Sequence, residues 1–217
     1  MECRRVGVKA YGAVALAAVA LAGCAGRGEI TEGGITAVRS VCPTVAIPAG
    51  TGDVTLFDPP ASRDASALDL TAFMTNVQST CSDAGAEVTT TVTFDIEARR
   101  TRTDAARSVD LPYFITLVRG GSAVVAKRIG RVQLQFAAGA DRARVSGQAS
   151  TSVGRAAVTL PEDIRRQLTR RRKAGDEDAA IDPLSQPEIR QAVLRATFEA
   201  LVGFQLTDEQ LRYNATR

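Results

Sequence analysis

The amino-acid sequence predicts a mainly β protein, an antiparallel β-sandwich with a helical insertion and a short C-terminal helix. Three observations lead to this fold class. Between residues 37 and 160, apolar and polar residues alternate with period two within short segments rich in β-branched residues. Turns that contain Gly and Pro separate these segments. A charged stretch at about 161–196 has helical spacing, and alternation returns at Phe198. A length of 217 residues with 45% hydrophobic residues suits one such domain with appendages.

Three strands are predicted in the first part of the domain, and the third contains Cys81. Two short β-rich runs, Thr44–Ile47 and Val54–Phe57, surround a Pro-Ala-Gly-Thr-Gly turn. A third strand follows the loop that Pro59 and Pro60 force to be extended. Its alternation predicts one apolar face made of Phe73, Thr75, Val77, Ser79 and Cys81.

The middle of the chain has the clearest strand pattern. From Val88 to Ala98, apolar and polar residues alternate, with Thr90 as the exception on the inward face. A hairpin then joins Leu111–Val118 to Ala123–Phe136 through Gly120 and Gly121. A weaker strand is expected at Ala143–Ala149. Short antiparallel strands with turns between them favour an immunoglobulin-like or fibronectin-III-like sandwich.

The stretch at about 161–196 is predicted to form two helices. The first begins after Pro161 and presents a basic face, and the second begins at a capping box from Ser185 to Glu188. The basic residues form a possible patch for an anionic partner: Arg165, Arg166, Arg170, Arg171, Arg172 and Lys173. Since the sheet pattern resumes afterwards, we interpret these helices as an insertion and expect the core to be complete without them.

The last element is a strand from Phe198 to Leu206 followed by a short helix. Thr207 and Gln210 form the capping box of that helix. The predicted domain therefore spans residues 37–214, with the insertion inside it.

The N-terminus has the pattern of an export signal. Basic residues precede an apolar run, Tyr11–Leu21, of about 16 Å, which is too short to span a bilayer and typical of a signal peptide. Leu21-Ala22-Gly23-Cys24 resembles a bacterial lipobox. The resemblance implies that residues 1–23 are removed, that Cys24 is lipidated, and that the Gly-rich segment 24–36 is a flexible tether.

The resemblance to lipoproteins also implies where the mature protein lies. Ala25 stands where an Asp would retain a lipoprotein in the inner membrane, so an outer-membrane anchor facing the periplasm is expected. Both general secretion and twin-arginine export remain open, because Arg4 and Arg5 form a pair in the basic region. Two cysteines, Cys42 and Cys81, are then left in an oxidising compartment, which predicts a disulfide between them.

Composition excludes several kinds of chemistry. The chain has no histidine, which removes Ser-His-Asp and Cys-His catalysis and imidazole metal sites. The run Asp176-Glu177-Asp178 lacks the spacing of a calcium loop, and no Gly-rich phosphate loop follows a strand. The net charge of +3 falls to about +1 without the signal peptide, which disfavours nucleic-acid binding. We therefore expect no enzyme activity, metal or cofactor.

Three further motifs resemble those of an uncharacterised family of small bacterial envelope lipoproteins. They are Cys42-Pro43, Leu-Pro-Tyr-Phe at 111–114, and Val-Gly-Phe-Gln-Leu-Thr-x-Glu-Gln-Leu-x-Tyr-Asn at 202–214. The resemblance implies an envelope lipoprotein and brings no activity with it. Two functions remain: a structural or protein-interaction module with an envelope protein partner, or a lipid- or ligand-binding accessory of envelope transport that uses the basic helix 162–173.

Overall fold

The predicted strands assemble into two four-stranded sheets. A computed structural model describes residues 40–170, 175–177 and 181–216. The strands are β1 (Thr44–Ala46), β2 (Asp53–Phe57), β3 (Leu68–Ser82), β4 (Glu87–Arg100), β5 (Arg107–Arg119), β6 (Ala123–Phe136), β7 (Arg142–Gly154) and β8 (Phe198–Phe204). The α-helices are α1 (Arg155–Val158), α2 (Glu162–Thr169), α3 (Pro187–Arg195) and α4 (Asp208–Thr216). Short 3-10 turns occur at Ala65–Ala67 and Pro183–Ser185.

The two sheets share a hydrophobic core. Sheet I has the order β1-β8-β5-β6, and sheet II has the order β2-β3-β4-β7. One cluster of buried residues joins Leu70, Phe94 and Ile96 of sheet II to Leu111, Leu134 and Phe204 of sheet I. The pairs are antiparallel except for β1 and β8, which run parallel. This pair departs from the purely antiparallel arrangement that the sequence predicts.

The alternation in β4 is confirmed. All its even-numbered positions from Val88 to Ala98 are buried, including Thr90. The hairpin between β5 and β6 is also present, and Gly120 and Gly121 have φ angles of 61° and 79°. Both glycines lie in the three-residue loop 120–122 between the strands, and such positive angles favour glycine over other residues.

The predicted inward face of β3 is wrong for its first half. Met74 is 6% exposed, whereas Phe73 on the opposite face is 49% exposed. A bulge lies between Thr75 and Gln78, and Asn76 within it has a φ of 50°. The extra residue inverts the alternation. Cys81 consequently lies opposite Thr90 and on the same face of sheet II, but unlike Thr90 it is exposed, so the predicted burial of this end of β3 is not seen.

Phe94 and Tyr113 connect the two sheets across two glycines. Each ring lies beside the glycine directly opposite it on the neighbouring strand, Gly147 for Phe94 and Gly130 for Tyr113. The two rings meet edge to face with centroids 5.0 Å apart. The Tyr113 hydroxyl donates to the carbonyl of Gln148 on β7 at 2.8 Å. Glycine allows each ring to cover the neighbouring strand, since any Cβ there would occupy the space of the ring.

The two helices of the predicted insertion differ in burial. α2 buries none of its residues, whereas α3 buries Ile189 and Ala192, at 2% and 7% exposure. α3 is therefore packed on one face, while neither of the two hydrophobic core clusters includes a residue of α2 or α3. That the core is complete without both helices stays a prediction. The predicted capping box is absent as well: α3 has Gln186 as its N-cap without a side-chain bond, and the Ser185 hydroxyl donates to the Asp182 carbonyl. Within the described segments, no helix is long and apolar enough to cross a bilayer.

Candidate functional site

The disulfide is the predicted site feature that the structure confirms. Cys42 and Cys81 are bonded, with their Cα atoms 6.1 Å apart and 39 positions apart in the chain. Cys42 precedes β1 of sheet I, and Cys81 lies near the end of β3 of sheet II. Cys42 also packs against a small apolar cluster that includes Leu117 and Phe198. The bond therefore connects the two sheets, which is a structural role. The predicted lipidation site, Cys24, lies outside the described residues.

The predicted basic patch is described only in part. Arg165 and Arg166 are exposed on α2, and Arg170 follows the last turn. The Arg165 guanidinium pairs with the Glu162 carboxylate one turn earlier in the same helix. Arg171, Arg172 and Lys173 lie outside the described residues. The described portion is an exposed helix, and its affinity for an anionic partner stays a prediction.

The C-terminal motif attaches α4 to the turn between β1 and β2. The Asn214 side-chain amide donates to the carbonyls of Gly50 and Asp53, at 2.8 and 2.9 Å. Gly203 lies against the same turn, and a Cβ at this position would be 2.3 Å from Thr51 Oγ1. The Tyr213 ring meets the Phe57 ring edge to face, with centroids 5.3 Å apart. These contacts explain the Gly, Tyr and Asn of the motif as structural residues.

The predicted capping box of α4 is confirmed. The Thr207 N–H donates to Gln210 Oε1 at 2.9 Å, and the Gln210 N–H donates to Thr207 Oγ1 at 3.2 Å. The reciprocal bonds satisfy two backbone donors at the helix start and fix the angle at which α4 leaves β8.

An ion pair between a buried carboxylate and a half-buried arginine lines a cavity of about 340 Å³ beside α4. Asp69 is 4% exposed and accepts two hydrogen bonds from Arg107, both 2.7 Å long. Arg102 lies 3.5 Å from the same carboxylate and also pairs with Asp58. The bonds from Arg107 lower the pKa of Asp69, and the carboxylate raises the pKa of Arg107. Because these charges neutralise one another, we interpret the cluster as a structural clamp.

A second buried carboxylate lies in sheet II at the bulge of β3. Asp95 is 5% exposed and accepts hydrogen bonds from Ser146 and Arg144 at 2.6 Å and from Asn76 at 2.7 Å. These bonds, led by the one from Ser146, hold the pKa of Asp95 at about 2, against an ordinary 3.8. The cluster ties β7 and the bulge to β4. The sequence carries only a weak signal for it, an Asp in the middle of a strand.

The low pKa of Asp95 predicts a pH dependence of stability. A carboxylate with a depressed pKa in the folded state stabilises the protein above its unfolded pKa, and the contribution disappears as the pH falls through the folded value. Wild type should therefore be more stable than Asp95→Asn at pH 7, and the difference should shrink as the pH falls from 3.8 towards about 2. Urea unfolding at several pH values measures this. Asp83→Asn, at an exposed carboxylate, is the control, and an unchanged difference at pH 2 would contradict the prediction.

A shallow cavity of about 380 Å³ lies on the outer face of sheet II. Phe73, which is 49% exposed, lies beside Arg99, Arg142 and Arg144 there. Arg99 pairs with Asp141 at 3.2 Å, and Arg144 pairs with Asp95 at 2.6 Å. Because of these ion pairs, the surface around the cavity carries both positive and negative charges. Its lining residues include no nucleophile or metal-ligand cluster.

Among the described residues, the most exposed apolar side chains lie on the first part of β6, residues 123–131, which we name the β6 edge segment. Val124, Val125 and Ile129 are 63%, 45% and 61% exposed. β6 is the last strand of sheet I, and both faces of this segment carry exposed side chains, although Ala126 packs against the core and the Tyr113 ring covers Gly130. Val132, Leu134 and Phe136 further along are buried. From the sequence, β6 is predicted only as an ordinary strand of the hairpin, and this surface is missed. The two consecutive valines, which break the alternation, are the local signal for it.

The described residues do not assemble a metal centre. Among them, no group of three or more His, Cys, Asp or Glu side chains is placed to hold a metal ion.

In comparisons with known proteins, the chain matches no family model, no curated protein and no solved structure.

Proposed function

We propose that this protein is a lipid-anchored module of the bacterial envelope that faces the periplasm and binds another envelope protein. In this proposal the two sheets form an immunoglobulin-like sandwich, the lipid on Cys24 holds it at the outer membrane, and the β6 edge segment is the contact surface. The anchor itself is argued from the lipobox, and the disulfide suits an oxidising compartment.

The exposed apolar side chains of β6 carry the proposal. Val124 and Ile129 each leave more than three fifths of their surface in water, at 63% and 61%. Single exposed apolar residues are ordinary, but a cluster at a sheet edge marks a contact or an aggregation site. The paired ion clusters around Asp69 and Asp95 are structural by contrast, so we place the function at the edge of sheet I.

A crosslinking experiment tests this proposal in the native envelope. A photoreactive amino acid at Ile129 in the full chain should crosslink to a discrete protein, and the same group at Leu211, an exposed leucine of α4, should not. Cys24→Ser should abolish labelling with palmitate and strongly reduce the crosslink, because the unanchored protein is no longer concentrated at the membrane. Equal crosslinking from both positions would contradict the proposed surface, and unchanged labelling would contradict the anchor.

A second candidate function is favoured by the exposure of α2, which buries no residue. In this alternative, α2 and the basic residues that follow it in the predicted stretch 162–173 contact anionic lipid or ligand, at about 1 kcal/mol for each basic residue near a membrane surface. The triple variant R165S/R166S/R170S separates the two functions. Loss of binding to vesicles of anionic lipid, with the Ile129 crosslink unchanged, would assign a separate lipid contact to α2.

A further inference from the structure

We infer that the partner contributes an extended, acidic segment that adds to the β6 edge segment as a ninth strand. The inference deepens the proposed function and rests on it, because it names how the partner binds and what its chemistry is. Three features of the segment support it: an open backbone edge, side chains exposed on both faces, and a charge of one sign.

The outer backbone edge of β6 has no hydrogen-bonded strand in the described part of the chain, and β7 comes close to β6 at Val132, beyond the β6 edge segment. Sheet I ends with this strand, and no strand in the described part of the chain pairs with its outer side. An edge strand presents a row of N–H and C=O groups that an extended peptide satisfies by strand addition. The nine residues of the segment measure about 30 Å along the strand, enough for a typical added strand.

The side chains of the segment extend the contact to both faces. Lys127 and Ile129 lie on the outer face opposite Thr116 and Phe114, and the Lys127 ammonium is 5.1 Å from the centre of the Phe114 ring. Arg128 lies on the other face, opposite Ile115. An added strand would place its side chains beside these groups on alternating sides, since directly opposite residues share a face.

A bulge limits the length of regular pairing. Leu117 pairs with Ala126 and Val118 pairs with Val124, so that Val125 is the extra residue on β6. A bulge bends the strand and interrupts the regular ladder. The straight part of the open edge is therefore Ala126–Arg131, which fits an added strand of about six residues.

Charge selects the partner. From residue 111 to residue 140 the sequence contains four basic residues and no acidic one, and three of the four, Lys127, Arg128 and Arg131, lie on the segment. Basic residues on an edge also prevent pairing between identical edges, because two copies of β6 would bring like charges together. A second copy of this chain is thus disfavoured, and an acidic segment gains favourable pairs along the strand.

The test uses the full chain and two synthetic peptides, Val-Glu-Val-Glu-Val-Glu-Val and its counterpart with Lys in place of each Glu. The glutamate peptide should bind and slow amide hydrogen exchange in Ala126–Arg131, and the lysine peptide should do neither. Binding should weaken as salt is raised. In K127E/R128E/R131E, affinity for the glutamate peptide should fall by about tenfold or more and the lysine peptide should be preferred. The variant R142E/R190E/R212E changes the net charge equally at exposed sites elsewhere and should bind as wild type.

The outcomes separate this inference from the proposed function. If the Ile129 crosslink forms in the native envelope but neither peptide slows exchange in the segment, strand addition is wrong and the proposed function stands. Equal binding of both peptides would overturn the selection by charge. If the charge-reversed variant does not fold, the salt dependence of wild-type binding decides the same point, and a salt-independent affinity would overturn it.

Discussion

Gly147→Ala is expected to destabilise the protein by about 1–3 kcal/mol, whereas Gly154→Ala in the same strand should be neutral or slightly stabilising. A Cβ at Gly147 would lie 2.4 Å from Cε2 and 2.5 Å from Cζ of Phe94, and no neighbouring atom lies within 4 Å of a Cβ at Gly154. The Phe94 ring is 1% exposed and is held by the Tyr113 ring, so it has no free space to enter. Chemical unfolding of both variants measures the difference.

A second variant tests whether the clash with the ring is the cause. Phe94→Leu shortens the side chain opposite Gly147 and costs stability by itself, since it removes buried aromatic surface. In the double variant, the added cost of Gly147→Ala should be much smaller than in wild type. If Gly147→Ala is as stable as wild type, or if it destabilises the Phe94→Leu variant by the same amount as wild type, contact with the Phe94 ring is not the reason for glycine at position 147.

Loss of the disulfide should lower stability by up to about 4 kcal/mol in C42S/C81S. The bond closes a loop with a sequence separation of 39, and the chain-entropy model assigns most of its effect to the unfolded state. Guanidinium unfolding of this variant and of wild type, with and without reductant, provides the measurement. Reductant should bring wild type to the midpoint of the variant and leave the variant unchanged. Equal midpoints for oxidised wild type and the variant would show that the bond does not stabilise the fold.

The features that could be predicted from the sequence are local ones. In β4, the alternation from Val88 to Ala98 requires only that one face of the strand be buried, so the pattern specifies it completely. The capping box of Thr207 and Gln210 is likewise contained in four consecutive residues. The disulfide is predicted from the number of cysteines, because only Cys42 and Cys81 are left once the signal peptide and the lipobox cysteine are set aside.

The features that the sequence missed depend on distant neighbours. The alternation in β3 predicts the wrong face for the first half of the strand, because the bulge at Asn76 inverts the alternation without an obvious local signal. The burial of Ile189 was missed because the apolar stripe of α3 is narrow and its packing is decided by tertiary structure. The open edge of β6 could not be predicted, since strand order in a sheet is a long-range property.

The position of the disulfide has a mechanical consequence for tension applied from the N-terminal side. β1, the first strand after Cys42, is held to β8 by only three paired positions and would peel off under a small load. The pull reaches Cys42 before β1 and passes through the bond to Cys81 on β3, an interior strand that shares eleven paired positions with β4. We therefore expect the oxidised domain to resist forces that unravel the reduced one, with the load carried by the middle of sheet II.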